Sequence, residues 1–149
     1  MVNALLDEPA HLITVVLALG AINLSLVLRH WLPLLIGGVL IDADHIPAML
    51  GMLFLTRGAP RPYTHSFLTI AVVLLVALLC RGRWRKSAGV VAYALAWHFF
   101  RDMVEGGAVS LLWPWSSRGF VLPYQIYAAA MGLLALVWTA RAYWVVRSQ

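Results

Sequence analysis

Long apolar segments make up most of the chain, and short polar segments separate them. The apolar segments cover residues 12–28, 31–56, 66–80, 87–100 and 120–140. A helix that crosses a bilayer needs about 20 apolar residues, with a lower bound of about 17. The first, second and fifth segments reach that length, whereas the third and fourth are short. The pattern predicts an all-α fold, a polytopic membrane bundle of about five helices in which some are short or broken.

Composition supports a membrane protein over a soluble one. The chain has 149 residues, of which 62% are hydrophobic and 11% are charged, whereas a soluble domain is about 25% charged. The net charge of +5 could suggest nucleic acid in a soluble protein. Here most basic residues lie in short segments between apolar ones, where they act as topology signals and contact anionic headgroups. We therefore expect one integral-membrane domain over residues 1–149 and no nucleic-acid partner.

The distribution of basic residues predicts an orientation. If the N-terminus lies outside, the cytoplasmic side holds the larger set of basic residues, which is Arg29, Arg81, Arg83, Arg85, Lys86, Arg141 and Arg147. The outer side then holds the smaller set, which is Arg57, Arg61, Arg101 and Arg118. Cytoplasmic loops of membrane proteins are enriched in Lys and Arg. The sequence thus predicts an N-terminus outside, a C-terminus in the cytoplasm, and "RGRWRK" (81–86) as a cytoplasmic loop.

Ionisable residues interrupt the second apolar segment in the stretch "LIDADHIP" (40–47). A charged side chain at the bilayer centre costs about 2.5–3.5 kcal/mol on insertion scales, so such residues are expected to face inward and to have partners. Asp42 and His45 are spaced i,i+3 and can share one helix face. Asp44 can join them only if the helix is broken, and Pro47 could provide that break.

A second pair of ionisable residues lies in the fourth segment, and two single histidines, His11 and His65, complete the pattern. His98 and Asp102 are spaced i,i+4 on one helix face. In the predicted orientation, all of these groups fall in the outer half of the membrane. Imidazole and carboxylate together are ligands of zinc, manganese and iron. We expect one or two divalent ions, zinc first and manganese or iron as alternatives, on six ligands: His11, Asp42, His45, His65, His98 and Asp102.

Further residues near these motifs are candidates for chemistry on a metal-activated water. Asp44 or Glu105 could be the general base, and Thr64 and Ser66 could orient ligands or donate to an oxyanion. Two arginines on the predicted outer side could hold an anionic substrate group or contact lipid headgroups: Arg61 and Arg118.

Other functions remain open at this stage. Buried Asp–His pairs can be structural hydrogen bonds or proton relays, and a polar cluster can fasten membrane helices together. The same ligands could also belong to a divalent-metal-binding or transport protein without hydrolase activity. The placement of the acidic residues on one side of the membrane favours a site that opens to that side.

In their order along the chain, these motifs resemble the YdjM-like family of inner-membrane metal-dependent hydrolases, also described as LexA-regulated. The family pattern has an N-terminal histidine, a "PDIDH"-type block, "HRGxTHS", and "HxxxD" running into "LLWP". This chain has His11, "IDADH", "RPYTHS" and "HFFRDMVEGGAVSLLWP". It departs from the pattern at Ile41, Pro60, Pro62 and Glu105. Pro60 takes the place of a histidine, so the number of metal ions stays open.

The resemblance implies hydrolase activity in a bacterial-type inner membrane, and it supplies no substrate. The placement of the site at headgroup depth predicts a lipid headgroup ester or phosphoester as the substrate. Membrane lipids are then both the environment and the reactant, and the residues indicate no protein partner.

Overall fold

A computed structural model of the chain describes residues 2–52, 61, 64–104 and 108–147. These residues form an all-helical fold, which confirms the predicted all-α class, and their only β-type pairing is an isolated bridge between Val109 and Phe120. They contain seven α-helices where about five were predicted, and the polytopic arrangement stays a prediction because one of these helices is long and apolar enough to cross a membrane. The helices are α1 (Val2–Ile22), α2 (Leu24–Arg29), α3 (Trp31–Gly38), a 3-10 helix (Leu40–Asp44), α4 (His45–Met49), α5 (Phe67–Leu79), α6 (Gly82–Val104) and α7 (Tyr124–Arg147).

The sequence predicted that the first apolar segment forms one helix, but the structure divides it between two helices. Helix α1 ends at Ile22, and Asn23 has an extended backbone with φ −163° and ψ 114°. The Asn23 side-chain oxygen accepts a hydrogen bond of 2.9 Å from the Ser25 amide, so Asn23 caps a new short helix. The chain therefore turns at Asn23, earlier than the predicted end at residue 28.

The second apolar segment is broken, as predicted, although the break lies upstream of Pro47. Helix α3 ends at Gly38, Val39 leaves helical geometry with φ −139°, and the 3-10 helix Leu40–Asp44 follows. Pro47 lies inside α4, where an early proline is compatible with a helix because the first amides have no helical partner. The altered winding brings Asp44 toward Asp42.

Two other boundaries differ from the predictions. Helix α6 begins at Gly82 and includes most of "RGRWRK", because arginine and lysine are good helix formers whose long side chains reach water from a helix end. Helix α7 begins at Tyr124 instead of residue 120. Phe120 pairs with Val109 in extended geometry, and Pro123 disfavours helical geometry in the residue before it.

Helix α6 is the centre of the fold. Helices α1, α3 and α5 pack against it, and α7 packs mainly on α1. Apolar side chains from α1, α3 and α6 form one buried cluster, which includes Val15, Leu34 and Ala94. Among the described helices, Tyr124–Val145 within α7 is the one that is long and apolar enough to cross a membrane, and α5 is a shorter apolar helix.

A close approach of α3 to α6 depends on Gly37. A Cβ atom at this position would lie 2.6 Å from the Val91 carbonyl oxygen and 2.9 Å from Ala94 Cβ. We expect Gly37→Ala to lower the free energy of unfolding by about 1–3 kcal/mol, because the helices would have to separate. Thermal unfolding in detergent measures the change.

The matched control is Gly89→Ala in α6, where an added Cβ would have no neighbour within 4 Å among the described residues. This variant should unfold at the wild-type temperature or slightly above it, because alanine in the middle of a helix is more stabilising than glycine. Equal destabilisation by both substitutions would contradict close packing at Gly37.

Candidate metal centre

Four segments bring histidines and aspartates to one end of the helix bundle. The first half of α1, the 3-10 helix with the start of α4, the residues before α5, and the last turns of α6 meet there. The side chains of His11, His65, His98 and Asp102 are fully buried. All six predicted metal ligands, together with Asp44, lie in this cluster, which is His11, Asp42, Asp44, His45, His65, His98 and Asp102.

One half of the cluster is built around the "DADH" sequence. His45 Nδ1 lies 3.3 Å from Asp42 Oδ1 and 3.1 Å from Asp44 Oδ1. His65 reaches the same carboxylates with both ring nitrogens, Nε2 at 3.1 Å from Asp42 Oδ1 and Nδ1 at 3.3 Å from Asp44 Oδ2. Ligand atoms of these four residues all lie within 4.8 Å of one another, close enough to share one ion.

The other half joins α1 to α6. His98 Nε2 lies 3.4 Å from Asp102 Oδ2, and His11 Nε2 lies 3.4 Å from Asp102 Oδ1. The rings of His11 and His98 are stacked with centroids 3.9 Å apart. Ligand atoms of these three fully buried residues also lie within 4.8 Å of one another. This half therefore forms a second candidate ligand group.

The two halves are continuous. His98 Nε2 lies 3.4 Å from Asp42 Oδ1, and His65 Nε2 lies 3.6 Å from Asp102 Oδ2. Asp42 and Asp102 thus each contact histidines of both halves, so either carboxylate could help to hold a metal in either half. The number of ligand groups is sufficient for one ion with additional polar groups around it, or for two ions.

The surrounding backbone and side chains orient two members of the cluster. His98 Nδ1 lies 3.0 Å from the Gly38 carbonyl oxygen, which can only accept, so Nδ1 carries the proton. In the neutral ring, His98 Nε2 then carries the lone pair and faces the carboxylates, the usual arrangement of a metal-binding histidine. The Thr64 hydroxyl donates to Asp44 Oδ2, so Thr64 orients that carboxylate, one of the two roles that the sequence suggested for it.

The donor atoms around Asp102 and His98 fit a metal better than they fit direct hydrogen bonds. Metal–ligand bonds of about 2.0–2.1 Å in tetrahedral geometry separate neighbouring ligand atoms by about 3.4 Å. Most contacts around Asp102, and those of His98 Nε2, are 3.4–3.6 Å, longer than the usual range for a hydrogen bond. Several of these buried atoms have no hydrogen-bond partner among the described residues: both His11 nitrogens, His98 Nε2 and both Asp102 carboxylate oxygens, although Asp102 Oδ1 has an ion-pair contact with Arg61.

Charge balance leads to the same conclusion. Among the described residues, the cluster and the residues beside it hold five carboxylates and two guanidinium groups, which are those of Asp7, Glu8, Asp42, Asp44, Asp102, Arg61 and Arg101. Negative charge is therefore in excess when the histidines are neutral. Uncompensated charge in a buried site is costly unless it is paired or binds a metal. A divalent cation would supply the missing positive charge.

Sequence reasoning missed two of those acids as members of the site. Asp7 Oδ1 lies 3.5 Å from His11 Nε2 and 3.3 Å from an Arg101 nitrogen. Glu8 precedes the apolar part of α1. Partial burial raises the pKa of its carboxyl, and the nearby charge of Asp42 raises it further. Their spacing from His11, at i−4 and i−3 on one helix face, was the available signal.

The predicted phosphate-binding arginines have different positions. Arg61 lies at the cluster, with NH1 3.0 Å from Asp102 Oδ1 and a mostly buried side chain. Arg118 is exposed in the segment before α7, and in the described part of the chain no ion pair joins it to the cluster. The structure brings Arg61 to the predicted site and leaves Arg118 outside its contacts.

Two predicted catalytic residues remain. Ser66 is fully buried next to His65, at the start of α5, and its hydroxyl has no hydrogen-bond partner among the described residues. Its position beside the cluster is compatible with a donor role. Glu105 lies outside the described residues, so its role as a general base stays a prediction.

Comparison with known proteins confirms the resemblance. Residues 7–149 match the family described as YdjM inner membrane protein. The chain is also similar to the inner membrane protein YbcI of Escherichia coli (strain K12), with 29% identity over 127 residues, which cover 78% of this chain and 73% of that protein. No solved structure matches the chain. The matched region includes every residue of the cluster, and the chain belongs to the YdjM family of inner membrane proteins.

Proposed function

We propose that the protein is a membrane-embedded, metal-dependent hydrolase that cleaves a lipid headgroup ester or phosphoester. The observation that carries this proposal is the set of buried histidine nitrogens and aspartate oxygens at metal-coordination separations at one end of the bundle. Zinc suits a mixed imidazole and carboxylate set, and manganese or iron are alternatives.

The chemistry follows from the residues around the ligands. When bound, a divalent ion supplies a Lewis acid and a water molecule that loses its proton near neutral pH. Asp44 is a candidate to accept that proton, because Thr64 holds its second oxygen in place. Arg61 lies at the partly accessible edge of the cluster and can hold an anionic group of the substrate through its planar guanidinium.

The proposed membrane topology favours a lipid as the substrate. We propose that several helices span the membrane, with the N-terminus outside and the C-terminus in the cytoplasm. The basic residues Arg29, Arg83 and Arg141 belong to the helix ends opposite the cluster, as the positive-inside rule requires if the cluster faces outward. The cluster then lies at the depth of outer-leaflet headgroups, where water can enter.

A second candidate function is divalent-metal binding or transport without hydrolysis, because the same ligand set would serve it. Transport sites usually lie near the bilayer midplane, between repeats that alternate in access. The location of this cluster at one end of a small bundle favours the hydrolase.

A headgroup-release assay tests the proposal. The purified protein is loaded with Zn²⁺ or Mn²⁺ and reconstituted in vesicles of bacterial polar lipids, and water-soluble phosphorus compounds and free fatty acids are measured by mass spectrometry. We expect a released product in the wild type, none after chelation, and at least a ~100-fold lower rate in Asp102→Asn, because the amide removes an anionic ligand.

The control is His30→Ala, which removes the one histidine outside the cluster and should keep the wild-type rate. Full metal loading without release of any lipid product would contradict the hydrolase and favour the metal-binding alternative.

A further inference from the structure

An apolar groove runs along the helix bundle between α3 and α5. Both helices pack on α6 but not closely on each other, so α6 forms the floor of the groove. Two cavities of about 240 Å³ and 310 Å³ lie in it, and they share Ile36 of α3 and Val91 of α6. The shared residues make the two cavities parts of one groove.

One end of the groove adjoins the metal-ligand cluster. The smaller cavity is lined by Ile41 and Leu95, and Ile41 directly precedes Asp42 in the chain. Leu95 is three residues before His98 on α6, so the two residues are neighbours on the helix surface. This end of the groove is therefore lined by near neighbours, along the chain, of the cluster residues Asp42 and His98.

The other end of the groove lies at the basic end of the bundle. The larger cavity is lined there by Cys80 and Trp84, and Arg83 and Arg85 belong to the same turn of α6. From Trp84 to Leu95 the helix rises about 16 Å. This length matches the hydrocarbon thickness of one leaflet, about 15 Å.

The lining suits hydrocarbon. It is apolar except for Thr69, Cys80 and Ser87, and small side chains at Ser87 and Ala88 leave the floor of the larger cavity open. Ile36 and Leu40 on the rim are 42% and 51% exposed, so a chain can enter sideways from the bilayer. Burial of apolar surface would be the main source of binding free energy.

We propose that this groove binds one hydrocarbon chain of the lipid whose headgroup lies at the metal-ligand cluster. The inference rests on the proposed function for the headgroup, and it adds that the substrate is a long-chain lipid recognised by its chain. Water-soluble esters with the same headgroup are then poor substrates.

Photocrosslinking tests chain binding without requiring activity. The full-length protein is reconstituted in vesicles of bacterial polar lipids that contain a trace of a phospholipid with a diazirine near the end of one acyl chain. Crosslinked peptides are identified by mass spectrometry. We expect crosslinks to concentrate on residues of the groove, including Val76, Cys80 and Val91, over other lipid-facing positions.

A groove-filling substitution gives the specific comparison. Ala88→Phe places a ring in the larger cavity and should reduce groove crosslinks to the level of other lipid-facing surfaces. Ala71→Phe is the matched control, because residue 71 is exposed on α5 and does not line either cavity among the described residues. Retention of bound metal in both variants shows that they are folded.

The outcomes separate this inference from the proposed function. Groove crosslinks that Ala88→Phe removes and Ala71→Phe leaves support chain binding, even if no headgroup is released. Crosslinks spread evenly over the lipid-facing helices, or equal in the two variants, would overturn it. If the headgroup-release assay succeeds, a rate that does not fall when the acyl chains are shortened to a few carbons would also overturn it.

Discussion

Replacement of His98 by alanine is expected to remove metal binding almost completely. His98 Nε2 faces carboxylates of both halves of the cluster, at 3.4 Å from Asp42 Oδ1 and 3.4 Å from Asp102 Oδ2. The Gly38 carbonyl accepts from Nδ1, so Nε2 is the nitrogen of the neutral ring that is available to a metal. Loss of residues that only orient a ligand costs about 10–100-fold in metal affinity, so loss of the ligand itself should cost more than about 100-fold.

Competition with a chromophoric chelator measures this affinity for Zn²⁺ in detergent. His30→Ala is the matched control, because His30 lies between α2 and α3, away from the cluster, and it should bind Zn²⁺ as the wild type does. If His98→Ala and His30→Ala bound Zn²⁺ equally well, the assignment of His98 as a ligand would be wrong.

Removal of the metal is expected to lower the thermal stability of the protein by a large amount. With neutral histidines and no cation, the carboxylates of Asp42, Asp44 and Asp102 lie together with excess negative charge. A ligand that binds only the folded state at 100 times its Kd adds about 2.7 kcal/mol to stability. For a chain of this size, that corresponds to about 5–10 °C in apparent Tm.

Thermal scans in detergent at one fixed heating rate, before and after chelation and after added Zn²⁺, measure this shift. Asp42→Asn supplies the comparison, because it removes one carboxylate that contacts three histidines. Its apparent Tm should respond little to chelator or to Zn²⁺. A wild-type Tm that is unchanged by chelation and by added Zn²⁺ would show that the cluster is held by its own contacts.

The sequence was sufficient to predict the cluster because its members obey helical spacing. Asp42 with His45 and His98 with Asp102 each share a helix face, and a buried charge needs a partner. The excess of basic residues at the opposite helix ends predicts that these pairs lie on the same side of the membrane. Residues of four separate segments are therefore expected to meet, and the structure brings them together.

Other features could not be predicted from the sequence, because they depend on contacts between separate elements or on a single side chain. The proton position on His98 is set by the carbonyl of Gly38, a glycine sixty positions away in the chain. The turn at Asn23 comes from one side-chain cap inside an apolar segment, where hydropathy alone predicts a continuous helix. Arg61 lies against Asp102 and Arg118 does not, although both arginines were candidates to hold an anionic group.

The central claim is that the cluster holds metal, and elemental analysis of the protein tests it most directly. The protein should be purified in detergent without exposure to chelator, beside Asp42→Asn and Asp102→Asn purified in the same way. We expect one or two equivalents of zinc, manganese or iron per wild-type chain, and little metal in either variant. A wild type that contains no metal, and binds none when Zn²⁺ or Mn²⁺ is added, would contradict the metal centre.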